Sequence, residues 1–327
     1  MSQARPKKPI PEPSPSASVV LVSPTNQVLL LHRVKTSTSF ASAHVFPGGN
    51  VDAKHDGEVP PPENAAQRHA DGPAYRVAAL RECFEESGIL LAKGKDGKLM
   101  NLSEAVRDDG RRKVHNGEIK FGDWLEGVGA VPDVDGLIPF TRWITPPPTP
   151  KRLLTQMYLC PELPPKALPQ QAPRSPLIPI NGPHFGGMEH TRPNSRPIRL
   201  DPPPPTTPSA CSSSLLARFF PATRNRTPGI PPAREPPPNH PTSAIPWAEK
   251  IISPRVLKVR EDGYVVLGLD KASAEVEGIR DGKVRGGLFD AVVVVNLKAK
   301  GGPWNLGVFG RDEALRGEIG PPASGKL

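Results

Sequence analysis

The chain is 327 residues long, has a formal net charge of +9 and contains 45 prolines, about three times the usual share. Cys83, Cys160 and Cys211 are too few and too scattered for a disulfide framework. With no secretory leader and no apolar run of membrane-spanning length, a soluble intracellular protein is expected.

Residues 1–16, rich in proline and serine, read as a disordered tail. Ser18–Val22 and Gln27–His32 have the β-branched and leucine-rich character of two strands around the turn Ser23-Pro24-Thr25-Asn26. Val45-Phe46 then leads into a Gly48-Gly49 loop. His55–Gly72 is polar, includes Pro60-Pro61-Pro62, and reads as a surface excursion. Pro73 opens a helix, with Asp71 or a neighbouring polar residue as its cap and Val77, Leu80, Phe84 and Leu91 on its apolar side. Further helices are predicted over 101–112 and 121–125, and strands over 137–143 and 153–159. Trp124 and Trp143 are expected in the core.

Between Pro161 and Pro246 lie about half of the prolines, with Pro202-Pro203-Pro204-Pro205 and very few aromatics. Such a segment buries too little apolar surface to offset its ordering entropy and is expected to be disordered or loosely packed. Much of the arginine sits there too, without a basic helix, zinc-finger spacing or RNA-binding signature, which argues against a nucleic-acid partner. Beyond Lys250 the pattern turns to short strands at 255–260, 264–269, 291–297 and 305–309, read as hairpins on the core or a small appended sheet.

The chemistry concentrates in Ala78–Leu91. Glu82, Glu85 and Glu86 fall at i, i+3 and i+4, one face of a helix. Three carboxylates on one face repel one another unless a cation holds them, and hard oxygen ligands suit Mg2+ or Mn2+ rather than zinc. Arg81 can pair with Glu85 four residues on, and Gly88 ends the helix where a left-handed residue is cheap. A solvated face is the ordinary fate of such glutamates. Their register with Val45-Phe46-Pro47-Gly48-Gly49 argues otherwise. His32 and His44 lack partner spacing for a metal site.

Gly48-Gly49 followed by Arg81-Glu82-x-x-Glu85-Glu86-x-Gly88-Ile89 resembles the Nudix box, Gly-x5-Glu-x7-Arg-Glu-U-x-Glu-Glu-x-Gly-U, where U is bulky and apolar. Cys83 takes the first U position. Gly49 to Arg81 spans 32 positions where the motif has 14, an insertion of 18, and Pro73 stands where the box's first glutamate belongs. With Leu29-Leu30-Leu31-His32-Arg33 and Ala43–Gly49, the interrupted box resembles the peroxisomal coenzyme A diphosphatase branch of that family. The likeness covers residues 17–162 and returns more weakly after 250.

The resemblance implies an α+β fold, an α-β-α sandwich. The Nudix domain would span 17–162 with an insertion at 53–72. A proline-rich segment at 163–249, a β segment at 250–315 completing or packing on the domain, and a tail at 316–327 would follow. It implies a metal-dependent pyrophosphohydrolase that splits coenzyme A or acyl-CoA into 3′,5′-ADP and (acyl-)phosphopantetheine. Glu82, Glu85 and Arg81 would be catalytic, and Glu82, Glu85 and Glu86 would hold Mg2+ or Mn2+ with the Gly48 carbonyl. Glu189, in Gly186-Gly187-Met188-Glu189, would add a carboxylate, and Arg33 would meet a substrate phosphate. Gly325-Lys326-Leu327 keeps two positions of the Ser-Lys-Leu address, so a peroxisomal import receptor is an expected partner. Peroxisomal location is expected, with cytoplasm or mitochondrion as alternatives.

Other readings stay open at this level. The domain could be a non-catalytic scaffold or inactive variant offering its proline-rich arm to peptide-binding grooves. Its substrate could be another nucleotide such as ADP-ribose. The proline-rich segment could be a true insertion or a retained intron.

Overall fold

Strand β1 (Ser14–Leu21) organises the fold because both of its faces are covered. Ala17, Val19 and Leu21 enter the main core, while Val20, with Val22 just beyond, packs against Phe140 and Leu159 on the opposite side. Burial on both faces marks an interior strand. In this computed structural model, residues 10–23, 28–33, 44–147, 149, 151–161, 188–189, 242, 245–271, 286–296 and 304–317 are described. Most of the proline-rich segment, Cys211 and Gly325-Lys326-Leu327 lie outside them.

β1 pairs in antiparallel fashion with β4 (Gly48–Asn50), after the short strands β2 (Leu31–Arg33) and β3 (His44–Val45). Helix α1 (Ala53–Asp56), a 3-10 turn at Pro62–Asn64 and α2 (Ala65–Arg68) lead to the long α3 (Pro73–Ser87). Next come β5 (Ala92–Gly94), α4 (Glu104–His115), α5 (Phe121–Gly127), β6 (Ala130–Pro132), β7 (Ile138–Ile144) and β8 (Leu153–Cys160). β8 runs parallel to β1 from Ser14↔Leu153 to Leu21↔Cys160 and antiparallel to β7. The short β9 (Met188–Glu189) pairs with β2. No helix among the described residues is long and apolar enough to cross a membrane.

The main sheet is completed from beyond the proline-rich segment. β10 (Ile251–Ile252) lies parallel to β7, giving the order β10-β7-β8-β1-β4, and the Lys250 carbonyl accepts from the Arg142 amide at 3.0 Å. The remaining strands, β11 (Arg255–Val259), β12 (Tyr264–Leu269), β13 (Leu288–Asn296) and β14 (Trp304–Gly310), form a separate antiparallel sheet. The last helix, α6 (Arg311–Arg316), buries Ala314 against Tyr264, Val266, Val292 and Val294 of that sheet.

α3 packs Tyr75, Ala78, Ala79, Leu80, Cys83 and Phe84 into the core beneath β1. Trp124 of α5 stacks on Phe84 with ring centroids 4.7 Å apart, and Gly110 of α4 lies against the indole. A Cβ at Gly110 would fall 2.2 Å from the Trp124 ring. Gly110→Ala is accordingly expected to destabilise the protein by about 1–3 kcal/mol through overpacking, read as a lower denaturant midpoint.

Several expectations need correction. β1 begins at Ser14, inside the predicted tail, because Arg152 ties this end down by donating to the Pro11 carbonyl at 2.8 Å. The first hairpin is reduced to a Val22–Val28 bridge and β2. The polar stretch 55–72 does not simply run over the surface. His69 is buried, and its carbonyl accepts from Arg142 Nη1 and Gln156 Nε2, each at 3.1 Å. Asp71 does not cap α3, whose N-cap is Gly72 without a side-chain bond. Instead it accepts from Tyr158 Oη at 2.6 Å and pairs with Arg76 at 2.7 Å, stitching the insertion to the sheet.

Candidate active site

Arg81 is the hub around which the carboxylates are arranged. Its guanidinium makes a two-pronged pair with Asp56, Nε to Oδ1 and Nη2 to Oδ2, both at 2.8 Å. Nη1 donates to Glu82 Oε1 and Glu85 Oε1 at 2.9 Å each, and Nη2 to the Asn50 carbonyl at 2.9 Å. A fork of five donors meeting planar carboxylates is arginine's particular geometry. Arg81 and Asp56 are both buried, so neither charge is left to water.

The three glutamates differ in their partners. Glu86 accepts from the Gly48 amide at 2.9 Å, and a Cβ on Gly49 would lie 2.5 Å from the Glu82 carboxylate. Glu82 and Glu86 thus press against the Gly48-Gly49 strand, where only a residue without a side chain permits the approach. Glu85 shares Arg81 Nη1 with Glu82 through its Oε1 and has His115 Nδ1 3.1 Å from Oε2.

Burial drives the Glu82 carboxyl up to about 7, against the opposing pull of Arg81 and with repulsion from Glu85 adding to the rise. Glu86 is also pushed well above the usual carboxylate range, by burial and by the charge of Glu82, although the Gly48 amide and Arg33 favour its ionised form. Burial would raise Glu85 too, but the His115 hydrogen bond and Arg81 outweigh it and the net direction is down. Buried carboxylates of raised pKa are where a cation is wanted.

This gives a pH dependence of definite sign. Between the unfolded carboxylate value and about 7, the metal-free folded state holds the Glu82 proton and the unfolded chain does not. Folded stability must therefore fall as pH rises through that window. Metal-free protein is expected to melt at a higher temperature at pH 5 than at pH 8 as far as this pair contributes. Glu85 contributes oppositely, its stabilisation being lost as pH falls below the normal carboxylate range. Added Mg2+ or Mn2+ should raise the melting temperature chiefly at pH 8. Thermal melts at the two pH values, with metal and with chelator, check both signs.

Among the described residues no three His, Cys, Asp or Glu side chains converge to hold a metal ion as they stand. Glu82 and Glu86 offer oxygens that fit a hard divalent cation beside the Gly48-Gly49 backbone, and Glu85, which shares Arg81 Nη1 with Glu82, lies next to them. Gly48 reaches the site through its amide. The charge of Arg33 acts on Glu86, which places this arginine near the cluster. Glu189 pairs through its backbone with His32 in β2–β9, next to Arg33↔Met188. His32 and His44 face each other across β2–β3, ring centroids 4.9 Å apart. Cys83 is buried with its thiol pushed up to about 12 by burial, an inert core residue.

Asp56 is the residue that sequence reasoning missed. It supplies a buried carboxylate partner of Arg81 near the place of the motif's first glutamate, whereas Pro73 is an exposed residue in the first turn of α3. Asp56 to Arg81 spans 25 positions where the motif has 8, so nearly all of the extra length follows that acidic position. The signal was present, because Asp56 lies one position further from Gly49 than the motif asks.

Residues 62–173 match the family model described as the NUDT19 Nudix domain. A protein named "Putative nudix hydrolase 7" from Caenorhabditis elegans is 33% identical over 145 residues, covering 44% of this chain and 43% of the relative. "Acyl-coenzyme A diphosphatase NUDT19" from Gallus gallus is 30% identical over 180 residues, covering 41% and 48%. The chain thus spans about half the length of the curated relatives it matches. A crystal structure of a Nudix hydrolase from Alicyclobacillus acidocaldarius aligns with 26% identity and a TM-score of 0.38, over 46% of this chain and 70% of that one. Through the segment that carries Arg81, Glu82, Glu85, Glu86, Gly88 and Ile89, the chain is similar to Nudix hydrolases.

Proposed function

We propose that this chain is a divalent-metal-dependent hydrolase of a nucleoside diphosphate linked to another moiety. Coenzyme A or an acyl-CoA is the substrate we favour, with 3′,5′-ADP and (acyl-)phosphopantetheine as products. The observation that carries the reading is the pair Glu82–Glu86 pressed against Gly48-Gly49 with Arg81 behind it. The substrate class is supported by the printed name of the Gallus gallus relative.

Splitting a phosphoanhydride requires water to add at phosphorus while charge spreads over the phosphate oxygens, so positioning and electrostatics dominate. A bound Mg2+ or Mn2+ would supply neutralisation of phosphate charge and a more acidic water. Glu82 and Glu86, with Glu85 and the Gly48 carbonyl beside them, would hold that ion. Arg81 fixes the rotamers of Glu82 and Glu85 and opposes the effect of burial on both carboxyls. Arg33 is the cation of this cluster assigned to a substrate phosphate, and Glu189, whose backbone neighbours β2, adds a carboxylate.

Release of 3′,5′-ADP from coenzyme A by the full chain, followed by chromatography with Mg2+ and with chelator, tests the proposal. Metal-dependent release is the expected result. Hydrolysis of ADP-ribose but not coenzyme A by the folded chain would overturn the substrate, and hydrolysis of neither would overturn the activity.

A further inference from the structure

The last turn of α3 is gripped by a helix that the box motif does not include. Arg111 of α4 donates through Nε to the Glu85 carbonyl at 2.6 Å and through Nη2 to the Glu86 carbonyl at 3.0 Å. One turn further along α4, His115 Nδ1 meets Glu85 Oε2 at 3.1 Å. An ionised carboxylate only accepts, so the imidazole N–H donates. α4 reaches both the backbone and a side chain of the same turn.

The physical problem this solves is specific. The final carbonyls of a helix have no intrahelical partners, and helix ends fray. Gly88, with φ +74°, closes α3 by donating its amide to the Phe84 carbonyl, leaving the carbonyls of Glu85 and Glu86 to be satisfied elsewhere. Those are two of the box carboxylate residues. A rigid guanidinium fork can span two successive carbonyls, whereas an ammonium cannot do so with fixed geometry. Burial lowers the Arg111 pKa, so this cation is placed there at a desolvation penalty that a solvent-exposed cap would avoid.

We propose that Arg111 and His115 are positioning residues for the box carboxylates. Arg111 fixes the backbone from which Glu85 and Glu86 project. His115 holds Glu85 against Arg81, and so holds Arg81 in the orientation that Glu82 shares. Neither residue touches substrate. The inference rests on the proposed hydrolase reading and extends it to a helix lying beyond the motif.

The test uses the full chain and the variants His115→Ala, His115→Asn and Arg111→Lys. Asparagine can offer an amide N–H near the place of Nδ1, and lysine keeps the charge of Arg111 without its fork. Kinetic constants for coenzyme A hydrolysis are measured beside Mn2+ affinity by electron paramagnetic resonance and metal-free thermal melting. His115→Ala and Arg111→Lys are expected to lower kcat by about ten- to a hundredfold, the range for outer partners of a metal site. KM should change little, Mn2+ binding should weaken, and His115→Asn should recover most of the loss. Losses of thermal stability alone, with kcat and Mn2+ affinity at wild-type level, would overturn the clamp. So would a His115→Asn variant as impaired as His115→Ala. A folded wild-type chain that neither hydrolyses a nucleotide nor binds Mn2+ would overturn the hydrolase reading and the clamp with it, whereas an active wild type with indifferent variants would overturn the clamp alone.

Discussion

Asp56→Ala is expected to destabilise the protein by about 3 kcal/mol and to lower hydrolysis by at least about tenfold. The Asp56 carboxylate is fully buried, meets Arg81 through both oxygens at 2.8 Å, and also accepts from the Asp52 amide at 2.8 Å. Removing it leaves a buried guanidinium with Glu82, Glu85 and the Asn50 carbonyl, and no carboxylate gripping it from behind. Adding Pro73→Glu, which restores the motif's letter, should rescue nothing, since position 73 is exposed in the first turn of α3. Urea denaturation and 3′,5′-ADP release on the single and double variants check both parts. Full rescue by glutamate at 73 would show that Asp56 does not hold the place assigned to it.

Glu86→Gln should separate activity from stability. Its amide oxygen can still accept from Gly48, but it is a poor ligand for a hard cation. Hydrolysis is expected to fall by about a hundredfold or more, on the scale of losing a preorganised electrostatic group. Metal-free stability at pH 8 should stay level or rise, because a buried carboxylate crowded by Glu82 has been replaced by a neutral group of the same shape. Parallel assays and melts read the two directions. A destabilised variant with near-normal turnover would identify Glu86 as structural.

How far the sequence carried the fold depended on locality. α3, with its capping Gly88, and the strands β7 and β8 lie close to where periodicity and turn residues put them. The glutamate spacing also led to Arg81–Glu85, which is an i,i+4 pair. Non-local relations were harder to read. Spacing put the three glutamates on one face, but it could not announce the contact of Glu85 with His115, thirty residues on. The docking of 57–72 through the His69 carbonyl depends on Arg142 and Gln156 from distant strands. Likewise, nothing local announces that Ile251–Ile252 completes a sheet begun at Ser14. Asp56 shows the same limit, since its role exists only once α1 is folded against α3.

The most direct test of the central claim is a Mn2+ titration of the full chain at pH 8, followed by electron paramagnetic resonance, for wild type, Glu82→Gln and Glu86→Gln. The account predicts saturable binding by the wild type that weakens strongly in both variants while their metal-free folds remain intact. Equal Mn2+ binding by wild type and both variants would contradict it, placing the metal, if the hydrolysis needs one, somewhere other than the Gly48-Gly49 face of α3.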